Sequence, residues 1–268
     1  MTAFPSRFRL YLFRTLASLG LPLLTWLLLL PTEAVSRTRV PADEQRTVEV
    51  TGPRGRNPLA PSEIARVKQV ADSSAQIKSA RERAAGTPRP PRLRQLLDDV
   101  PVLYAQRHNE DKNDDLQTRK ADVFYYNYTT NEAIRVVTDP NRNAVLETHV
   151  AKGVTNQPFF SSAEVKAALQ LVFEHPELGS RLQTSYLNIT GHNLNDISLL
   201  EAQGGIFFPD SAAHTPLEDI AAVCAVDRCM QLFITIDDAR FIDMSDLIVN
   251  LSTGEVLSGG EAPSGHTH

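Results

Sequence analysis

ADVFYYNYTTNEAIRVVTDPNRNAVLE, residues Ala121–Glu147, is the stretch that decides the fold. Asp122–Tyr128, Ala133–Thr138 and Ala144–Val150 are rich in aromatic and β-branched residues, the types that suit a pleated, half-buried surface. The intervals Thr129–Glu132 and Asp139–Asn143 hold turn formers. Strands joined by turns this short fold back on one another, so the stretch reads as an antiparallel meander. A fourth strand, Val100–Gln106, precedes it across Arg107–Lys120, whose charge marks a solvated loop. On the pleat, Phe124, Tyr126 and Tyr128 share one face and Tyr125 points to the other. The expected cover for the aromatic face is the helix of the same unit; the rival is a face left partly open for a partner.

Upstream, residues 37–56 form a polar linker and Pro61–Ser62–Glu63 opens a helix. Ile64, Val67, Val70, Ala71 and Ile77 make one apolar stripe at helical spacing. Ser62 is the expected N-cap, and Glu63 sits where the helix dipole favours an acid. The run GTPRPP, Gly86–Pro91, ends the helix. Downstream the same order returns. Ser161–Glu174 is helical, with Val165, Ala168, Leu169 and Val172 on one face and Pro176 closing it, and Glu177–Leu182 continues in its direction. Strands are expected at Ser185–Ile189, Gly205–Phe208, Cys229–Ile236, Phe241–Val249 and Glu255–Leu257. Ser62-Glu63-Ile64 answers to Ala163-Glu164-Val165, and Asp139–Leu146 answers to Asn250–Leu257. The expected fold is therefore α+β: two tandem modules, 57–152 and 153–258, each a helix packed on an antiparallel β-sheet, with a flexible tail at 259–268. Val67 and Ala168 should face inward, and Arg66 and Lys166 should face solvent or a module boundary.

The front of the chain is a targeting segment, residues 1–36. Arg7, Arg9 and Arg14 precede an uncharged Leu-rich run from Leu16 to Leu30, and small residues follow. The run falls short of the roughly 20 apolar residues of a membrane span, which favours a cleaved signal over an uncleaved anchor. Either reading exports the rest of the chain to a periplasmic or extracellular compartment, touching a membrane only through this segment. Export gives Cys224 and Cys229 their meaning: two nearby cysteines in an oxidising compartment pair. The bland alternative is two small buried hydrophobes.

The composition is that of a folded domain, with 42% hydrophobic and 22% charged residues in 268. The formal net charge is −5 but is unevenly spread. Residues 37–94 carry 13 Lys and Arg against 6 Asp and Glu, whereas residues 95–268 carry 11 against 25. An acidic body of that kind repels phosphates, so no nucleic acid partner is expected. Signatures of chemistry are wanting. His108, His149, His175, His192, His214, His266 and His268 form no HxxxH or HExxH pair, so no metal site is expected, and the tail GHTH reads as a frayed, solvated terminus rather than a weak metal site. No GxSxG occurs, and Gly204–Gly205 and Gly259–Gly260 lack the spacing that cradles phosphate. The acidic run Asn109–Asp115 lacks the ligand order of a calcium loop. Sequons begin at Asn127, Asn188 and Asn250. No catalytic residue and no cofactor are expected.

The helix openings NPLAPSEI (Asn57–Ile64) and NQPFFSSAEV (Asn156–Val165), the stretch Ala121–Glu147 and the segment EHPELGSRL (Glu174–Leu182) together resemble the paired N-terminal domains of copper amine oxidases. The resemblance covers residues 57–258 and rests on turn and core residues. It implies two cystatin-like α+β modules, which are not catalytic in that family. The family's quinone, copper-binding His and Asp base belong to a further domain with no counterpart in these residues. Asn127–Tyr128 is followed by Thr129 and lies in a strand, so it does not match the quinone motif. The expected function is that of an exported, non-catalytic interaction or accessory protein with a protein partner. The alternative is a non-catalytic subunit of an oxidase whose catalytic chain is encoded separately. Protease inhibition has less to stand on, because no Q-x-V-x-G loop is present.

Overall fold

The computed structural model describes residues 57–108, 119–212, 217–237 and 239–259. The expected targeting segment at 1–36, the expected linker at 37–56, the acidic run at 109–115, His214, His266 and His268 lie outside them. The described residues are mixed α and β, with two antiparallel sheets. The first half runs α1 (Pro61–Asp72), α2 (Ala75–Ala85), α3 (Pro91–Leu96), β1 (Val102–Arg107), β2 (Ala121–Asn127), β3 (Glu132–Asp139) and β4 (Ala144–Lys152). The four strands pair in that order, as the meander requires. The second half runs α4 (Ser162–Glu174), α5 (Pro176–Thr190), β5 (Glu201–Ile206), α6 (Glu218–Cys224), β6 (Cys229–Asp237), β7 (Arg240–Ile242), β8 (Leu247–Asn250) and β9 (Val256–Ser258). Its sheet has the order β5-β6-β8-β9, with β7 also pairing β6.

Several boundaries differ from the sequence reading. The first helix is two: Ser74 caps α2 by accepting from the Ile77 N–H, which breaks the stripe between Ala71 and Ile77. Ser62 lies inside α1 rather than at its cap. The cap position is Ala60, whose N–H donates to Glu63 Oε2 at 2.8 Å, with Pro61 at the first helical position. Ser185–Ile189 is no strand. It belongs to α5, whose buried Leu178, Leu182 and Tyr186 recur every four residues. The stretch 241–249 divides into β7 and β8 around a turn at 243–246.

Val67 and Ala168 are fully buried while Arg66 and Lys166 are exposed, as the stripes require. Val67, Ala71, Ile77, Ala80 and Ala84 pack on Ala121, Val123, Tyr125, Ile134 and Val136 to form one core. The opposite face of β2 is not covered by α1 or α2. Tyr126 and Tyr128, with Leu93, Leu97 and Leu103, join a second core made with α4, α5 and the second sheet. The expectation that the first module's helix covers Phe124, Tyr126 and Tyr128 is thus corrected: their face turns to the second half of the chain. A side chain alternates between faces whatever covers them, so the alternation alone could not say which element would supply the cover. A third, smaller core on the outer face of the second sheet holds Phe207, Ile220, Cys224, Cys229 and Ile248.

Candidate functional site

Cys224 at the end of α6 and Cys229 at the start of β6 are joined by a disulfide, with their Cα atoms 5.5 Å apart. The bond ties α6 across the sheet and is buried, so it acts as a staple. A bond of this kind persists in oxidising, non-cytoplasmic compartments.

Between the two cysteines lies Arg228, one of the largest fully buried side chains among the described residues. Its Nε donates to Glu164 Oε1 at 2.6 Å, and its Nη1 to the Pro158 carbonyl at 3.0 Å. The guanidinium also lies over the rings of Tyr126 and Phe160, 4.7 and 4.2 Å from their centroids. Glu164 is equally enclosed and accepts from the Tyr128 hydroxyl at 2.7 Å and the Ser161 N–H at 2.7 Å. Burial pushes the Tyr128 and Tyr126 phenols up, so both stay neutral and Tyr128 stays a donor. Arg89 reaches the Leu251 carbonyl and Asp99 from the other side and lies 4.2 Å over the Tyr128 ring. These charges join the two halves. Each is paired with an acid or backbone carbonyls, which makes the cluster a seam of the fold.

An equivalent arrangement stands at the first sheet. Arg119, just ahead of β2, donates to Glu63 at 2.6 and 2.8 Å and to the carbonyls of Asn57 and Pro58. Arg119 holds the Glu63 carboxyl below its ordinary range.

The histidines are scattered. His108 pairs with Asp122 at 2.8 Å, His149 with Glu147 at 3.0 Å, and His175 caps α5 by accepting from Leu178. His192 is exposed. Among the described residues no three His, Cys, Asp or Glu side chains stand together as a metal would need. Asn127 and Asn250 are fully buried, whereas Asn188 is exposed on α5.

Two surfaces have the form of binding sites. A groove of about 740 Å³ runs between α4 and β5, with Phe160, Val165, Leu169 and Leu200 as apolar lining and Lys166 and Asp196 among its polar groups. The other is β4. Nine residues long, it pairs along one side only, with β3, among the described residues, and nearly all of it is exposed. Val145, Leu146 and Val150 are 37%, 41% and 43% exposed. A long edge carrying apolar side chains presents a row of backbone donors and acceptors to any strand that approaches. Among the described residues no helix is long and apolar enough to cross a membrane.

No family model matches the chain, and no curated protein matches it. Among solved structures it is similar to a copper-containing benzylamine oxidase from Hansenula polymorpha, at 10% identity and a TM-score of 0.42. That likeness covers 76% of this chain and 29% of the oxidase, so the chain spans less than a third of its neighbour's length.

Proposed function

We propose that this chain is an exported, non-catalytic interaction protein, built from two repeated modules at 57–152 and 153–258, that binds a partner protein by pairing with its edge strand β4. The repeat is supported by coincidences of position. A shift of 101 residues carries the start of α1 onto α4, the start of α2 onto α5, and the cap Ser74 onto the cap His175. The same shift carries buried Val67 and Ala71 onto buried Ala168 and Val172. A shift of 111 carries Asp139, which accepts from the N–H groups of Asn141 and Arg142, onto Asn250, which accepts from Ser252 and Thr253. It also carries Asn143, at φ 52°, onto Gly254, at φ 81°. In both halves a Glu three residues into a helix is gripped by the Arg that leads into the second strand of the sheet, β2 or β6.

The observation that carries the docking reading is the exposure of β4, since strand addition draws affinity from backbone hydrogen bonds and specificity from alternate side chains. Export is supported by the order of residues in the leader and by the closed cysteine pair. The test is capture of partners from the exported fraction by the full chain and by Leu146→Lys/Val150→Lys. These positions are exposed, so the variant should fold. Loss of a captured protein in the variant, restored with wild type, supports docking at β4; identical captured sets would overturn it.

A further inference from the structure

On the face of the first sheet away from α1 and α2, the four strands place one side chain each in a single row. Tyr104 on β1 is opposite Phe124 on β2, Phe124 is opposite Arg135 on β3, and Arg135 is opposite His149 on β4. The Tyr104 and Phe124 rings stack with centroids 4.7 Å apart. This row floors a cavity of about 410 Å³, closed on another side by the segment that follows β4, where Asn156 and Phe159 line it. The volume lies within the range of small-ligand pockets.

Arg135 is the unusual member. Its Nε is buried without a hydrogen-bond partner, and its guanidinium makes no ion pair or hydrogen bond with any described residue. Buried polar groups are ordinarily satisfied, because leaving one unmet forfeits its hydration. Arg119 and Arg228 are filled by a Glu and backbone carbonyls. Arg89 also has a buried Nε without a partner, but its Nη atoms are engaged by Asp99 and carbonyls, whereas those of Arg135 have no such partner. His149 adds no spare cation, since its Nε2 is held by Glu147 at 3.0 Å. The cavity therefore holds one uncommitted positive group beside a flat aromatic surface.

We propose that this cavity binds a small aromatic carboxylate, its ring against Tyr104 and Phe124 and its carboxylate on Arg135. A guanidinium presents parallel donors that match a carboxylate bidentately. Stacked rings offer an offset surface to a further ring. One uncommitted arginine among the cavity's lining residues suits one negative charge and disfavours a phosphate dianion. The inference is independent of strand docking, because it needs no partner strand and uses side chains rather than the edge of β4.

The test is titration of the full chain with benzoate, 3-phenylpropionate and indole-3-acetate, followed calorimetrically and by chemical-shift changes. Neutral 3-phenylpropionamide and inorganic phosphate serve as controls. Saturable binding of an acid roughly tenfold or more tighter than the amide is expected, with phosphate weaker still. Arg135→Gln should erase the preference for acid over amide, Arg135→Lys should retain part of it, and Phe124→Leu should weaken acid and amide together. Thermal melting of each variant shows whether it is folded. Equal binding of acid and amide, no saturable binding of any acid, or an unchanged preference in folded Arg135→Gln would overturn the proposal.

Discussion

Arg228 and Glu164 are each 0% exposed, so neither charge has water to replace the other. Removing one partner strands a buried charge, which costs on the order of 3–5 kcal/mol. Glu164→Gln is therefore expected to lower the urea midpoint severely, and Glu164→Gln/Arg228→Met to recover part of the loss; a single variant that melts like wild type would refute the assignment. At the surface-proximal counterpart the effect shows in pH. Glu63 is held below its ordinary range by Arg119, so the pair's contribution is present in full above the unfolded carboxyl's pKa and fades as pH falls through the folded value. Urea midpoints from about pH 6 down to about pH 3 should fall more steeply for wild type than for Glu63→Gln, the curves converging in acid. Neither arginine was legible in the sequence. Arg228 lies in a segment read for its cysteines, and its acid partner is 64 residues distant. Long charged side chains are usually solvated, so no local pattern marks one for burial.

The strands of the meander were legible because three apolar runs and two turns leave little freedom of pairing. The second helix pair was only half so. In α5, Leu178, Leu182 and Tyr186 repeat every four residues, but the window 185–189 alone is too short to separate a helix from a strand. The disulfide was legible from spacing together with the leader, and it holds α6 to the start of β6. Closing so short a loop contributes about 2 kcal/mol on chain-entropy grounds. Cys224→Ser/Cys229→Ser should lose that much in urea unfolding, and thiol labelling of the denatured, unreduced wild type should find no free sulfhydryl. On β4 the expectation reverses. Leu146→Lys and Val150→Lys alter half-exposed side chains, so each should change stability by no more than about 0.5 kcal/mol while abolishing partner capture.

The two proposed modules need not melt apart. The second core contains Leu93, Leu97, Leu103, Tyr126 and Tyr128 from the first half together with α4, α5 and the second sheet. Calorimetry of the chain is expected to give one transition with matching calorimetric and van't Hoff enthalpies. Residues 57–152 expressed alone should expose that aromatic face and bind a hydrophobic dye. Two resolved transitions would show instead that the halves fold separately. β2 gives fully buried residues to both cores, and every residue in it except Phe124 is buried. An ordinary half-solvated strand tolerates substitution at every second position, because one face answers only to water. β2 has no such face. In a saturation-mutagenesis survey it should appear as an unbroken block of intolerance, Val123 and Tyr125 answering to one core and Tyr126 to the other, while β4 two places away in the same sheet accepts nearly any residue that leaves the chain soluble.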